Sequence, residues 1–248
     1  MDHLTWLGHF IVEEKPDVLV NIGDFADMQS LCHFDKGKKC FEGRRYADDC
    51  RAAQLGMQVL FAPLEAYQEQ QRSDNANEAW DLRYSKPVYE PKLKVFLLGN
   101  HEARVDKAIE QDAILEGTIS MQDLGYEKFG WKVIPFLQTV KIEGVNFCHY
   151  FVSGSMGRPV ASAKSLLQKK HQSCVMGHTQ QRDIAFDYRA DGKQITALFT
   201  GAYYEGHHDY LGPQGNVHFR GVWMLKDVVD GEFEAVPYTL EELRRRYA

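Results

Sequence analysis

The 248-residue chain lacks several features that mark whole classes of protein. Its five cysteines (Cys32, Cys40, Cys50, Cys148, Cys174) are odd in number and form no C-x-x-C pair. Neither a disulfide framework nor a zinc ribbon is indicated. The longest apolar runs, at residues 17–22 and 94–98, fall far short of the roughly 20 residues that cross a bilayer. The opening MDHLTWLGHFIVEEKPD carries no basic start and no small-residue cleavage site of the signal-peptide kind. No internal repeat or low-complexity segment is visible. Positive charge is also in deficit: 29 Lys and Arg against 35 Asp and Glu give a net charge of −6. A protein held to nucleic acid by bulk charge would be basic. A local basic patch or bound cations still leave a nuclease open. At 44% hydrophobic and 26% charged residues, the composition is that of a globular chain with a large core. The expectation is a soluble, cytoplasmic, single domain over residues 1–248, with no membrane association and its oligomeric state open.

The pattern along the chain alternates. Leu4, Leu7, Phe10 and Ile11 recur at helical spacing and Pro16 ends the run. Residues 17–22 (DVLVNI) read as a buried strand closed by Gly23-Asp24. Residues 25–91 differ: they are polar, with a helical pattern over 46–71 and a loop-like RSDNAN at 72–77, and read as a mostly helical insertion. Residues 94–102 (KVFLLGNHE) are again strand then turn, followed by a helix over 103–115. Hairpins are expected at 139–150, around Glu143-Gly144, and at 183–199, around Asp191-Gly192. Short strands are expected at 173–176 and 221–225, and an amphipathic helix at 241–247. This order points to an α/β fold with mixed sheets.

Four signals share one design, a hydrophobic strand whose last residues form a turn bearing a metal-type ligand. They are Gly23-Asp24, Gly99-Asn100-His101-Glu102, Cys148-His149 and Gly177-His178-Thr179-Gln180. In open α/β sheets, ligands collect beyond the carboxyl ends of strands. Asp24 offers a carboxylate, Asn100 an amide oxygen, and His149 and His178 imidazole nitrogens. That mixed set suits Mn, Fe, Zn, Co or Ni rather than Ca. His101 follows Asn100 directly, so its side chain points away from that ion but can reach a substrate oxygen and donate a proton. Taken singly, each residue has a plainer reading: Asp24 and Asn100 as turn residues, His149 as a packed core histidine, His178 as a helix-entry residue. Their occurrence in sequence favours the metal site.

Gly-Asp, then Gly-Asn-His-Glu, then a lone His after a strand, then Gly-His, in that order, resembles the calcineurin-like metallophosphoesterase superfamily over nearly the whole chain. The KGKKCFEGRR stretch and the Gly-His-Thr-Gln variant resemble phage- or prophage-encoded members. The resemblance implies an α/β/β/α sandwich of two mixed sheets flanked by helices. It implies a metal-dependent phosphoesterase, a phosphodiesterase or nuclease acting on a nucleotide or nucleic acid. It implies one or two divalent ions, Mn foremost, with Asp24 bridging, Asn100, His149 and His178 completing one site, and His101 as proton donor. This sequence departs from the family in two places. No Asp-x-His precedes Gly23-Asp24, and Gln180 replaces the last histidine of the final Gly-His-x-His. All three missing ligands belong to the same ion, for which the Gln180 oxygen remains a weaker candidate metal ligand. The expectation is therefore a competent site at Asn100, His149 and His178 and a weak or empty second one, with the chain beginning inside the family pattern. The alternative is a metal-binding scaffold of little or no activity that acts through partner or nucleic-acid binding.

Other residues carry weaker signals. Lys36, Lys38, Lys39, Arg44 and Arg45 lie within ten residues and read either as a solvated face or as a phosphate contact, which makes Arg44 and Arg45 candidate substrate-binding residues. Arg104, after the Gly-Asn-His-Glu turn, is a third such candidate or a helix-surface residue. His207-His208-Asp209 reads as a loop near the site entrance rather than a further metal cluster.

Overall fold

The computed structural model describes residues 1–78, 85–206 and 218–248. Helix α1 (Asp2–Glu14) leads into β1 (Val18–Asn21), then α2 (Tyr46–Glu78), β2 (Leu93–Leu97), α3 (Arg104–Gln111) and β3 (Lys132–Ile134). The second half contains β4 (Val140–Ile142), β5 (Val145–Phe147), α4 (Ala163–Lys170), β6 (Cys174–Met176), β7 (Arg182–Tyr188) and β8 (Gln194–Thr200). It closes with β9 (Gly221–Val229), β10 (Glu232–Thr239) and α5 (Leu240–Tyr247). Strands β1-β2-β3 form a parallel sheet, β4-β5-β6-β8-β7 a mixed one, and β10-β9 an antiparallel pair. Among the described residues, no helix is long and apolar enough to cross a membrane.

Side-chain alternation assigns the layers. Along a strand, successive residues face opposite sides. On β2, Val95 and Leu97 enter one cluster with Val145, Phe147, Val175 and Leu198 of the mixed sheet. Phe96 and Leu98 enter another, with Leu4 and Ile11 of α1 and Met57, Leu60 and Phe61 of α2. On β6, Val175 faces inward while Cys174 and Met176 pack against Leu166 and Leu167 of α4. At β2 and β6 the sheets are thus covered on both faces, which explains the continuous apolar runs of those strands. The expected α/β/β/α sandwich is what the chain forms.

The stretch at 25–91 does not protrude. Cys50, Ala53, Met57, Leu60, Phe61 and Leu64 of α2 are buried in the outer core, and α1 crosses α2 where Gly8 meets Leu60. A Cβ at Gly8 would lie 2.4 Å from the Leu60 carbonyl oxygen, so only glycine allows this approach. Residues 72–77, expected as a loop, continue the helix to Glu78. Their polar side chains hold the returning chain. Asn75 exchanges hydrogen bonds with the Lys86 backbone at 2.8 and 2.9 Å, and Gln71 accepts from the Tyr89 N–H at 2.9 Å. The strand expected at 221–225 runs on to Val229 and turns at Asp230-Gly231 into β10, which the sequence pattern did not suggest. Pro237 obscures β10, and it is tolerated because β10 has β9 on one side only.

The layer that holds β1 is interrupted. Val20 of β1 and Ile22 just after it share the inner core with Trp223, Leu225, Phe233 and Ala235 of β9 and β10. Outside, Leu7 of α1 packs against the clusters under both pieces. Yet β1 and β9 are not hydrogen-bonded to each other. Between them lies a cavity of about 1520 Å³, lined by consecutive residues 18–22 on one side and 221–228 on the other. Lining by consecutive residues means that the cavity meets the backbone edges of both strands, since a strand's face would contribute only alternate ones.

Phe96 is fully buried and stacks on Tyr126 with ring centroids 4.0 Å apart. Phe96→Ala is expected to lower unfolding stability by about 3–5 kcal/mol, read from urea denaturation midpoints.

Candidate metal centre

The site is assembled where β1, β2, β5 and β6 end. Each strand delivers one ligand on the turn that follows it, and two of those turns are backbone-strained. Asp24 (φ 57°) and His178 (φ 64°) both occupy the left-handed region, which non-glycine residues seldom adopt. Glycines let the turns approach. A Cβ at Gly99 would sit 2.1 Å from Asp24 Oδ1, and one at Gly177 would sit 2.6 Å from Ile22 Cγ2.

The four expected ligands converge. Ligand atoms of Asp24, His149 and His178 all lie within 4.8 Å of one another, a cluster that could hold a metal ion. Asn100 sits among them, its Oδ1 3.1 Å from His149 Nε2 and 2.7 Å from His178 Nδ1. His149 Nε2 is also 3.3 Å from Asp24 Oδ2. His149 is 1% exposed, and its other nitrogen, Nδ1, lies 2.7 Å from the Ile22 carbonyl, to which an N–H there donates. That bond directs the Nε2 lone pair toward the cluster, the usual arrangement of a metal-bound histidine. The donor set of one carboxylate, one amide oxygen and two imidazole nitrogens could therefore hold a metal ion.

Charges are arranged to suit. Burial opposes ionisation of Asp24, but His149, by hydrogen bond and charge, and His101 together bring its pKa down to about 2. Burial also works against a charged His149, yet Asp24 outweighs it and raises the His149 pKa. Burial and the neighbouring His149 charge hold His178 below its ordinary value.

Two residues that sequence reasoning left without a role organise the site. Glu102 is fully buried. Its Oε2 accepts from the backbone N–H of Asp24 and of Gly99, and its Oε1 from that of Ala26, all at 2.9 Å. One carboxylate thus ties the Asp24 turn to the Asn100 turn. Burial and the nearby Asp24 charge raise its pKa, against the pull of those N–H donors. The second is Asp27, whose Oδ1 lies 2.5 Å from His101 Nδ1. With Nδ1 held there, His101 Nε2 faces the cluster, 4.0 Å from Asp24 Oδ2. Asp27 is legible only as an acid three positions after a ligand, and Glu102 only as an acid closing an apolar strand-turn.

The remaining expectations resolve individually. Arg104 is neither a surface residue nor directed at the cluster. Its Nη1 donates to the Asp27 carbonyl at 2.6 Å and lies 3.4 Å from the Asp27 carboxylate, so it braces the partner of His101. Arg44 donates to Asp35 Oδ2 at 2.8 Å, and Arg45 to the Arg44 carbonyl at 2.9 Å, so both bond within their own loop. Gln180, also left-handed (φ 59°), accepts from the Tyr204 hydroxyl at 3.3 Å. All five cysteines are free. His207, His208 and Asp209 lie outside the described residues. Comparison with family models, with curated proteins and with solved structures finds no match.

Two outcomes follow from this geometry. Glu102→Gln places an amide N–H against backbone donors, and should cost about 1–3 kcal/mol of stability and weaken metal binding, measured by denaturation and by calorimetry. The second concerns pH. The raised pKa of His149 means that its ion pair with Asp24 stabilises the apo fold below the ordinary value of 6.5 and is lost as pH rises through the folded value. The lowered pKa of Asp24 means that its contribution persists until pH falls from 3.8 toward about 2. Metal needs neutral His149, so binding of a divalent ion should release protons and tighten as pH rises above 6.5, seen by titration calorimetry in buffers of different ionisation heat.

Proposed function

We propose that the protein is a metal-dependent phosphoesterase of the calcineurin-like kind, hydrolysing a phosphodiester in a nucleotide or nucleic acid. The observation that carries this reading is the meeting of Asp24, Asn100, His149 and His178 from four strand ends, with His101 Nε2 4.0 Å from Asp24 Oδ2. Mn²⁺ is the favoured ion, with Fe, Zn, Co and Ni compatible with the same donors. When bound, such an ion acidifies water and polarises a phosphoryl oxygen.

The chain's own residues supply the rest. Asp24, Asn100, His149 and His178 hold the ion. Asp27 accepts from His101 Nδ1–H, so that in the imidazolium form the Nε2–H is the proton available to the leaving oxygen. Arg104 keeps Asp27 in place. The net charge of −6 argues against tight, non-specific duplex binding, so a short or single-stranded substrate fits better than long duplex.

The second ion is less well provided for. Gln180 stands where the family resemblance has a histidine, and its carboxamide is engaged by Tyr204. The Asp-x-His that the resemblance puts on an opening strand has no counterpart in residues 1–248. The channel between β1 and β9 offers room for such a strand, and Asp24, His149, His178 and Gln180 all border that cavity. One ion per chain is therefore the expectation. These same features favour the second reading, a metal-binding scaffold with little turnover.

The deciding assay uses a generic aryl phosphodiester with added Mn²⁺, together with metal analysis. Turnover is expected, abolished by Asp24→Asn and lowered about 10²–10⁴-fold by His101→Ala, with one ion retained per chain. Retained metal without turnover at any ion concentration selects the scaffold. Two tightly held ions would overturn the single-site expectation.

A further inference from the structure

We propose that the chain associates with a second copy of itself through β7, edge to edge, joining the two five-stranded sheets. Strand β7 is terminal in the order β4-β5-β6-β8-β7, so among the described residues its far edge has no neighbour in the sheet. It pairs with β8 in unbroken register from Arg182–Thr200 to Tyr188–Gln194, with no bulge. Its sequence RDIAFDY contains neither proline nor lysine. Bulges, prolines and charged side chains, lysine above all, are what usually protect an exposed edge from pairing, and of these β7 carries only Arg182, Asp183 and Asp187.

The two faces of β7 differ. Ala185 packs with the α4 cluster, and Asp183 Oδ2 accepts from the Ala163 N–H at 2.7 Å. On the other face, Ile184, Phe186 and Tyr188 are 37%, 57% and 68% exposed. Leu198, opposite Ile184 on β8, is fully buried. An apolar stripe thus continues the core outward to the sheet edge, where no described residue covers it.

A second copy fits this edge because the strand complements itself in one antiparallel register. A two-fold axis normal to the sheet keeps like faces together, so facing residues share parity. With Phe186 opposite Phe186 of the second copy, Ile184 faces its Tyr188 and Asp183 faces its Arg189, and symmetry repeats each pair. Centring on Ala185 would set Asp183 against Asp187, two like charges directly opposed. Centring on Ile184 would set Arg182 against Phe186 and leave Tyr188 beyond the facing strand's end. Arg189 extends the hairpin through its N–H bond to the Lys193 carbonyl at 2.9 Å, and its surface ion pair with Asp191 is free to exchange. One strand pair is a small contact, so association should depend on concentration.

Sedimentation velocity from micromolar to several hundred micromolar protein tests this. The native chain should shift from monomer to dimer, and hydrogen exchange at the β7 amides should slow with concentration. Phe186→Lys alters an exposed side chain, should leave the melting temperature unchanged, and should stay monomeric throughout. Arg189→Asp should weaken association about tenfold, through loss of two facing pairs and the repulsion that replaces them. Adding Asp183→Arg should restore it, judged where melting shows the double variant folded. A native chain that stays monomeric, a dimer that survives Phe186→Lys, or a folded double variant that fails to recover would each overturn the proposal.

Discussion

The site depends on one buried carboxylate. Glu102 accepts backbone N–H groups from Asp24 and Ala26 on one turn and from Gly99 on another. Those turns follow β1 and β2, and Asp24 and Glu102 are 78 residues apart in the chain. Parallel neighbours in a sheet fix strand direction and spacing, but not where the loops beyond them point. Glu102 supplies that constraint by giving the loop amides an acceptor inside the protein, where water cannot reach them. The alternative, loop N–H groups buried without partners, would cost more than the carboxylate's own desolvation once three donors surround it.

Crowding of like and unlike groups follows from that constraint. Asp24 and His178 adopt left-handed backbone, and Gly23, Gly99 and Gly177 leave no room for a Cβ. Without an ion, two ring nitrogens share one amide oxygen, and an ionised Asp24 raises the pKa of its neighbour His149. These are unfavourable choices for a turn that served only to reverse the chain. They are reasonable for side chains gathered to share a cation, whose charge relieves the crowding. His101 stands one step outside, oriented by Asp27, which Arg104 braces in turn.

Much of this was legible in the sequence because it depends on short-range chemistry. The apolar runs at β1, β2 and β6 and the turns Glu143-Gly144 and Asp191-Gly192 announce strands through their own composition. The glycine-flanked ligands announce the site by occurring at strand ends in order. What was not legible depends on pairing over distance. Residues 72–77 look like a loop until Asn75 meets Lys86. Pro237 hides β10 until its edge position is known. Arg104 reads as a surface cation until Asp27 lies beneath it, and nothing local distinguishes Glu102 from an ordinary helix-entry acid.

The interrupted layer has a mechanical consequence. Helix α1 lies across the outside of the break, with Leu4 and Ile11 gripping the β1 side and Trp6 and Phe10 the β9 side. Its first turn reaches the loop after β8, where the Tyr203 hydroxyl donates to the His3 carbonyl at 2.6 Å. A single thirteen-residue helix therefore acts as an outer brace that sets the separation of the two halves. Any shift of α1 along its axis would be felt at both walls of the cavity between β1 and β9.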